Sequence, residues 1–169
     1  WMQSKDENDL QSAYRNWQKV RDLYGQAPGG MFGGDENCRP GYDDPRQAVE
    51  TCGMVEAMLS HETLTGITGD LIWADRCEDI AFNSLPAALT ADMKALRYLT
   101  APNQVVSDRA DKSPGIQNRG PMFEMNPHRH RCCQHNFGHG WPYFAQHLYY
   151  ATPDQGIAAV FFNESSVTA

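Results

Sequence analysis

Along residues 6–24, DENDLQSAYRNWQKVRDLY, apolar side chains fall at Leu10, Tyr14, Trp17, Val20 and Tyr24. Steps of three and four place them on one face of a helix, and Gly25 supplies a stop. The pattern then breaks. GQAPGGMFGGDENCRPGYDDP carries too much glycine and proline for a regular element, and reads as a long loop of the kind that in compact domains usually serves function. Periodicity resumes in a second helix from about Thr51 to Thr65, with Cys52, Val55 and Leu59 on one face and Gly66 near its end. A third helix, roughly Asp70 to Asn83, opens on Asp70 as a natural cap and carries Ile72, Trp73, Cys77, Ile80 and Phe82.

SLPAALTADMKALRYLTAPNQ predicts a shorter helix or an extended crossing, and SDRADKSPGIQNRGPMFEMNPH a second polar loop. HGWPYFAQHLYYATPD is helical in pattern, with Trp141, Phe144 and Leu148 as its apolar side chains. Pro142 inside it requires a kink or a fresh start, because proline has no N–H to donate. The tail GIAAVFFNESSVTA turns to β-branched and aromatic residues and predicts the first strand of a following β domain. The expected division is therefore a helical region over 1–153 and a β region beginning within 154–169. No repeat of fixed short period is present.

A chain of 169 residues can hold one modest core. Its 41% hydrophobic and 21% charged residues are ordinary for a globular protein. A net charge of −7 and a pI of about 5.2 speak against a nucleic-acid partner. No apolar run is long enough to span a bilayer, so no membrane partner is expected either. Trp1 stands where a start methionine is usual, and the first residues look like the middle of a protein. The expectation is a fragment of a longer chain, which leaves localisation open.

The cysteines are Cys38, Cys52, Cys77, Cys132 and Cys133. An odd number with two adjacent does not resemble a disulfide framework, and adjacent cysteines rarely bridge each other. Free thiols suit a reducing compartment such as the cytoplasm, or protection by a metal. Cys77, in WADRCEDIAFN, is most simply a small buried hydrophobe.

Glu50-Thr51-Cys52 poses a geometric question. Residues two apart on a helix point to nearly opposite sides, since each step turns about 100°; in extended chain they point the same way. Glu50 and Cys52 can share a ligand only if the helix begins between them, which Pro45 upstream allows. The metal then lies at a helix N-terminus, where the dipole favours thiolate. Cys132 and Cys133 likewise converge on one ion only where a loop turns into a helix. Four candidate ligands follow, Glu50, Cys52, Cys132 and Cys133, and three thiolates with one carboxylate suit Zn²⁺.

Competing uses of the same residues remain open at this level. His128, His130, His135 and His139 surround the cysteine pair, so a Cys₂His₂ site is an alternative, and NPHRHR also looks like a solvated loop. Cys132 with a histidine and Asn136 suggests a papain-like nucleophile, although the local signature of that class is missing. In GGDENCRPGYDDPRQ, the carboxyls of Asp35, Glu36, Asp43 and Asp44 precede Glu50, and a carboxyl in a glycine-rich loop beside a metal is a candidate general acid. The bland alternative is a turn that is polar because turns are.

Three stretches, GGMFGGDENCRPGYDDPRQAVETCGMVEAMLSH, GDLIWADRCEDIAFNSLPAALTADMKALRYLTAPNQ and RCCQHNFGHGWPYFAQHLYYATPDQGIAAV, together resemble the catalytic domain of glycoside hydrolase family 127, the β-L-arabinofuranosidase-like family. The resemblance covers nearly the whole chain. It implies a mainly α fold, part of an (α/α)₆ barrel of the six-hairpin glycosidase kind, with the start of a β-sandwich at the C-terminus. Only about half of such a barrel fits here, so the remainder of the barrel is missing from this chain. It implies a retaining exo-glycosidase acting on a plant-type glycan or oligosaccharide. Its zinc ligands fall on Glu50, Cys52, Cys132 and Cys133, its nucleophile on Cys132 and its acid/base on Glu36, with Asp35 a rival. Tyr98, in LRYLTAPN, matches a position near the sugar. Many members continue the double cysteine with proline, whereas this chain has Gln134 and His135, which points to a distinct subgroup.

Two readings from other classes stand beside it. In one, the four ligands staple the loops of a non-catalytic zinc-stabilised helical domain. In the other, Cys132 and Cys133 form a redox-sensing dithiol, and Glu50 and Cys52 lie elsewhere.

Overall fold

The structure, a computed structural model, describes residues 1–24, 30–34, 48–101, 131–166 and 168. Among them the chain is mainly helical. Helix α1 spans Glu7–Tyr24, and its stripe of Leu10, Tyr14, Trp17 and Val20 is half-buried. Tyr14 packs on Trp73 at 4.8 Å between ring centroids and Trp17 meets His61 edge-on at 4.3 Å. The Tyr14 hydroxyl donates to Asp70 at 2.9 Å. The helix thus lies across the next two as a cover, its polar face in water.

Strand β1, Val49–Glu50, runs directly into helix α2, Thr51–Thr68. Glu50 is extended, with φ −75° and ψ 138°, and the helix starts at the following residue. That is the break required for Glu50 and Cys52 to face one point. β1 pairs antiparallel with β2, Leu99–Thr100, in the register Val49↔Thr100 and Glu50↔Leu99. Thr51 locks the junction: its N–H donates to the Tyr98 carbonyl at 3.0 Å and its hydroxyl to the Arg97 carbonyl at 2.7 Å.

Helix α2 passes through Gly66 and ends at Thr68, three residues beyond the expected stop. Glycine costs a helix about 1 kcal/mol, but here the missing Cβ makes room for a neighbour. A Cβ on Gly66 would stand 2.9 Å from the Tyr150 ring, whose hydroxyl donates to the Glu62 carbonyl at 2.9 Å. Gly69 takes the left-handed cap at φ 70° and its N–H bonds the Thr65 carbonyl. Asp70 then caps helix α3, Leu71–Asp79, accepting from the Ile72 N–H at 3.1 Å.

The expected continuation of α3 to Asn83 is met by a widened turn of π-type over Ile80–Ser84, a form common as single turns at irregular points of helices. Trp73, Cys77 and Ile80 are buried, while Ile72 and Phe82 are exposed. A short 3₁₀ turn, Pro86–Ala88, leads to a tight reversal closed by the Leu89↔Leu96 bridge. The short helix or extended crossing expected there is reduced to this single turn and reversal, followed by the two-residue strand Leu99–Thr100.

Helix α4, Arg131–Gln146, starts eight residues earlier than its hydrophobic pattern suggests and runs on through Pro142. Proline at that point deprives the Gly138 carbonyl of its donor. Gly138 is exposed, so water can take that bond. α4 packs against α2 with the two N-termini together: Cys133 meets Cys52, a Cβ on Gly140 would meet Val55, and His147 meets Glu62. The two helices therefore run parallel. After α4, β3 (Tyr149–Ala151) pairs antiparallel with β4 (Ile157–Ala159), so the tail's apolar segment forms a hairpin with the chain just before it. The core between α2, α3 and α4 is built on Met54, Val55, Met58, Cys77, Ile80, Leu85, Phe144 and Phe161.

Candidate metal centre

The heads of α2 and α4 bring four donor groups to one point. One ligand atom each from Glu50, Cys52, Cys132 and Cys133 lies within 4.8 Å of the others. The Cys52 and Cys133 sulfurs are 3.2 Å apart, and Cys133 Sγ is 3.6 Å from Glu50 Oε1. A tetrahedral ion with bonds of about 2.3 Å to sulfur holds its sulfurs just under 4 Å apart; the Cys52–Cys133 pair is closer than that, and the group as a whole is compact enough that it could hold a metal ion.

Each donor owes its place to a local feature. The extended Glu50 turns its carboxylate to the side on which Cys52, the second helical residue, projects. At the other wall Cys132 and Cys133 are the second and third residues of α4, where adjacent side chains diverge by about 100°. That divergence separates their environments: Cys133 is fully buried and Cys132 is exposed.

Burial also shapes the chemistry of the sulfurs. Burial pushes the Cys52 thiol up to about 12, against hydrogen bonds from Cys133 and Asn136 that favour the thiolate, and the Glu50 charge raises it further. Burial likewise pushes Cys133 up, helped by Cys52 and by Glu50. Burial and the neighbouring Glu50 charge thus favour the protonated forms of Cys52 and Cys133. A divalent ion reverses that logic and makes thiolate the stable form.

All four ligands expected from the sequence are thus brought together. His135 and His139 are exposed on α4 and stand outside the cluster, so among the described residues the Cys₂His₂ alternative finds no support. The dithiol reading required Glu50 and Cys52 to lie apart from the pair, and they do not. Tyr98 is half-buried beside the β2 strand that pairs with Glu50, and its carbonyl anchors Thr51. Glu36, Asp35, Asp43, Asp44, Cys38, His128 and His130 lie outside the described residues. Cys77 is buried as expected, but not inert in its contacts: its thiol faces Glu62 at 3.6 Å.

One feature escapes a linear reading: buried Glu62 meets His147 at 3.0 Å, a pair joined only by the parallel packing of α2 and α4.

The chain is mainly helical, and its helix heads bring three cysteines and a glutamate close enough to hold a metal ion. The family described as Beta-L-arabinofuranosidase, GH127 catalytic domain, matches residues 1–146, and the chain belongs to it. That membership makes the chain part of a glycoside hydrolase catalytic domain. Comparison with curated proteins and with solved structures yields no match.

Proposed function

We propose that this chain carries the reaction centre of a retaining, β-L-arabinofuranosidase-like exo-glycosidase with Cys132 as nucleophile. The observation that carries the reading is the asymmetry of the cluster. Cys133 and Glu50 are buried and Cys52 is half-buried, whereas Cys132 is exposed on the same cluster. A sulfur that must reach a sugar has to be the accessible one.

Glu50, Cys52, Cys132 and Cys133 would hold zinc. When bound, the ion supplies the positive charge that keeps these sulfurs as thiolates at neutral pH. The Cys132 thiolate attacks the anomeric carbon, forming a C–S bond as the C–O bond to the leaving group breaks. Glu36 gives its proton to the departing oxygen, then takes one from the water that cleaves the thioglycosyl intermediate. Two displacements return the original anomeric configuration. Tyr98 borders the sugar. The substrate class is a plant-type glycan or oligosaccharide with a terminal furanose.

The parallel pairing of α2 and α4, with the donors at one end, supports an (α/α)₆ barrel whose remaining helices come from chain beyond these residues. The stretch 154–169 leads into a β domain on the same reading. This chain by itself is then expected to be inactive.

Four protein donors also make a closed set, which is the usual mark of a structural zinc site. On that second reading the ion only staples α2 to α4. The test is to follow hydrolysis of an aryl β-L-arabinofuranoside by proton NMR, using the enzyme that contains this chain. The first-formed sugar should be the β anomer, and Cys132→Ser should abolish turnover. Inversion, or appreciable turnover by the serine variant, would falsify the covalent role; full turnover with zinc removed would leave the cluster a staple.

A further inference from the structure

Between the reversal that follows the 3₁₀ turn and the first turns of α4 lies a shallow recess of about 140 Å³. Leu89, Leu96 and Phe137 form most of its apolar floor, and Met93, Lys94 and Gln134, all exposed, stand at its edge. Leu96 is buried in the core that also holds Cys133, and Leu89 and Phe137 pack against that core. The recess is thus backed by the packing that fixes one wall of the donor cluster.

Its outer wall is a closed turn. The Thr90 N–H donates to the Ala95 carbonyl at 2.9 Å, the Ala95 N–H to the Thr90 hydroxyl at 3.1 Å and the Met93 N–H to the Thr90 carbonyl at 2.8 Å. Asp92 accepts from the Thr90 hydroxyl at 2.6 Å and the Lys94 N–H at 3.2 Å, so its carboxylate is engaged within the turn. Met93 is held at φ 58°, a backbone state that a side chain adopts only under such constraint. Its exposed thioether beside an apolar floor suits a surface that adapts to what it binds.

We propose that this recess is a leaving-group subsite, taking a sugar unit on the far side of the bond that is cleaved. The inference rests on the exo-glycosidase reading above and deepens it. An exo-acting enzyme holds the terminal sugar at its nucleophile, so any further sugar it binds belongs to the leaving group. Gln134 follows Cys132 by two positions at the head of one helix, where side chains two apart diverge by about 200°. The recess therefore lies across the head of α4 from the nucleophile. The width of a helix, about 10 Å, separates the two sides, a span that the next one or two sugars cover.

The chemistry of the lining agrees with that position. A sugar ring has a face of C–H groups and a rim of hydroxyls. Leu89, Leu96 and Phe137 offer an apolar surface to the first, and the Gln134 carboxamide and Lys94 ammonium offer hydrogen bonds to the second. The recess is also tied to the cluster through the chain: Gln134 follows Cys133, and Leu96 leads through Tyr98 to Leu99, which pairs with Glu50.

The test uses the enzyme that contains this chain and two substrates, methyl β-L-arabinofuranoside and a trisaccharide ending in the same sugar. The readout is the ratio of kcat/KM for the trisaccharide to that for the methyl glycoside. The ratio should exceed one in the unaltered enzyme and fall about tenfold in Lys94→Met/Gln134→Leu, through loss of the two hydrogen bonds, with the change in KM more than in kcat. Both positions are exposed, so the substitutions leave the core intact. A wild-type ratio of one, or a ratio that the double variant leaves unchanged, would overturn the proposal. If the unaltered enzyme cleaves neither substrate, the glycosidase reading itself falls, and this inference with it.

Discussion

The sulfurs of Cys52 and Cys133 stand 3.2 Å apart although the residues are 81 positions apart in the chain. That distance depends on two helix starts, one just after Glu50 and one at Arg131, meeting head to head. It makes the cluster a point of contact between α2 and α4 and a candidate metal site.

A site of this kind links metal binding to folding. Zinc that binds only the folded chain, at a hundredfold excess over its Kd, should stabilise it by about 2.7 kcal/mol. Thermal unfolding with zinc and with chelator should therefore differ by several degrees for the wild-type chain. The double variant Cys52→Ala/Cys133→Ala should show no such difference. An equal zinc response in both proteins would place the binding site elsewhere.

The unequal burial of the cysteine pair predicts unequal chemistry. With zinc removed, iodoacetamide should modify Cys132 first, because it is exposed while Cys133 is fully buried and its thiol is pushed up by burial. Peptide mapping by mass spectrometry at short reaction times reads the order. Zinc should slow the labelling of all three cluster cysteines. Faster modification of Cys133 than of Cys132 contradicts the assignment of Cys132 as the accessible sulfur.

Buried Glu62 predicts a pH dependence of stability. His147 Nδ1 lies 3.0 Å from its Oε2 and 2.8 Å from the Tyr143 carbonyl. One ring proton cannot serve both well, so Oε2 receives a charge contact more than a hydrogen bond. Cys77 and the Tyr150 ring close the other sides. Burial pushes the Glu62 carboxyl from 4.5 to about 7, against the opposing pull of His147 and of the Cys77 thiol. Because the folded value is the higher, folding favours the protonated form. Its contribution is complete below about pH 4.5 and is lost as pH rises through about 7. Glu62→Gln imitates the protonated state, so its stability relative to wild type should improve between pH 5 and pH 8 by up to about 3 kcal/mol. Urea unfolding at the two pH values measures this, and a difference independent of pH would refute it.

Gly140 and Gly138 lie on the same helix and should respond oppositely to alanine. A Cβ on Gly140 would stand 2.9 Å from Leu85 Cδ2 and 3.4 Å from Val55 Cγ2. Leu85 is fully buried and Val55 nearly so, so neither can swing clear. Overpacking of about 1–3 kcal/mol should exceed the roughly 1 kcal/mol helix gain of alanine, and Gly140→Ala should lower the urea midpoint. At Gly138 a Cβ meets nothing within 4 Å, and Gly138→Ala should raise the midpoint by the helix gain alone.

What the sequence by itself determined rests on local rules. The stripe of α1, the Asp70 cap, the burial of Cys77 and the start of α2 between Glu50 and Cys52 follow from periodicity, capping and the direction of side chains along extended and helical chain. The same rules made the four donors candidates for one soft ion, but they left a histidine-containing set open, and it took the meeting of the two helix starts to bring Glu50, Cys52, Cys132 and Cys133 together.

Tertiary structure decided the rest. Gly66 and Pro142 look like breaks in isolation, yet both helices continue, because the Tyr150 ring occupies the space at Gly66 and solvent lies beside Gly138. The fit at Gly140 and the Glu62–His147 pair both depend on α2 and α4 running parallel. No pattern within either helix specifies its neighbour. That choice comes from the shared burial of Met58, Leu85, Phe144 and Phe161 between them, a property of the packed chain and not of any segment of it.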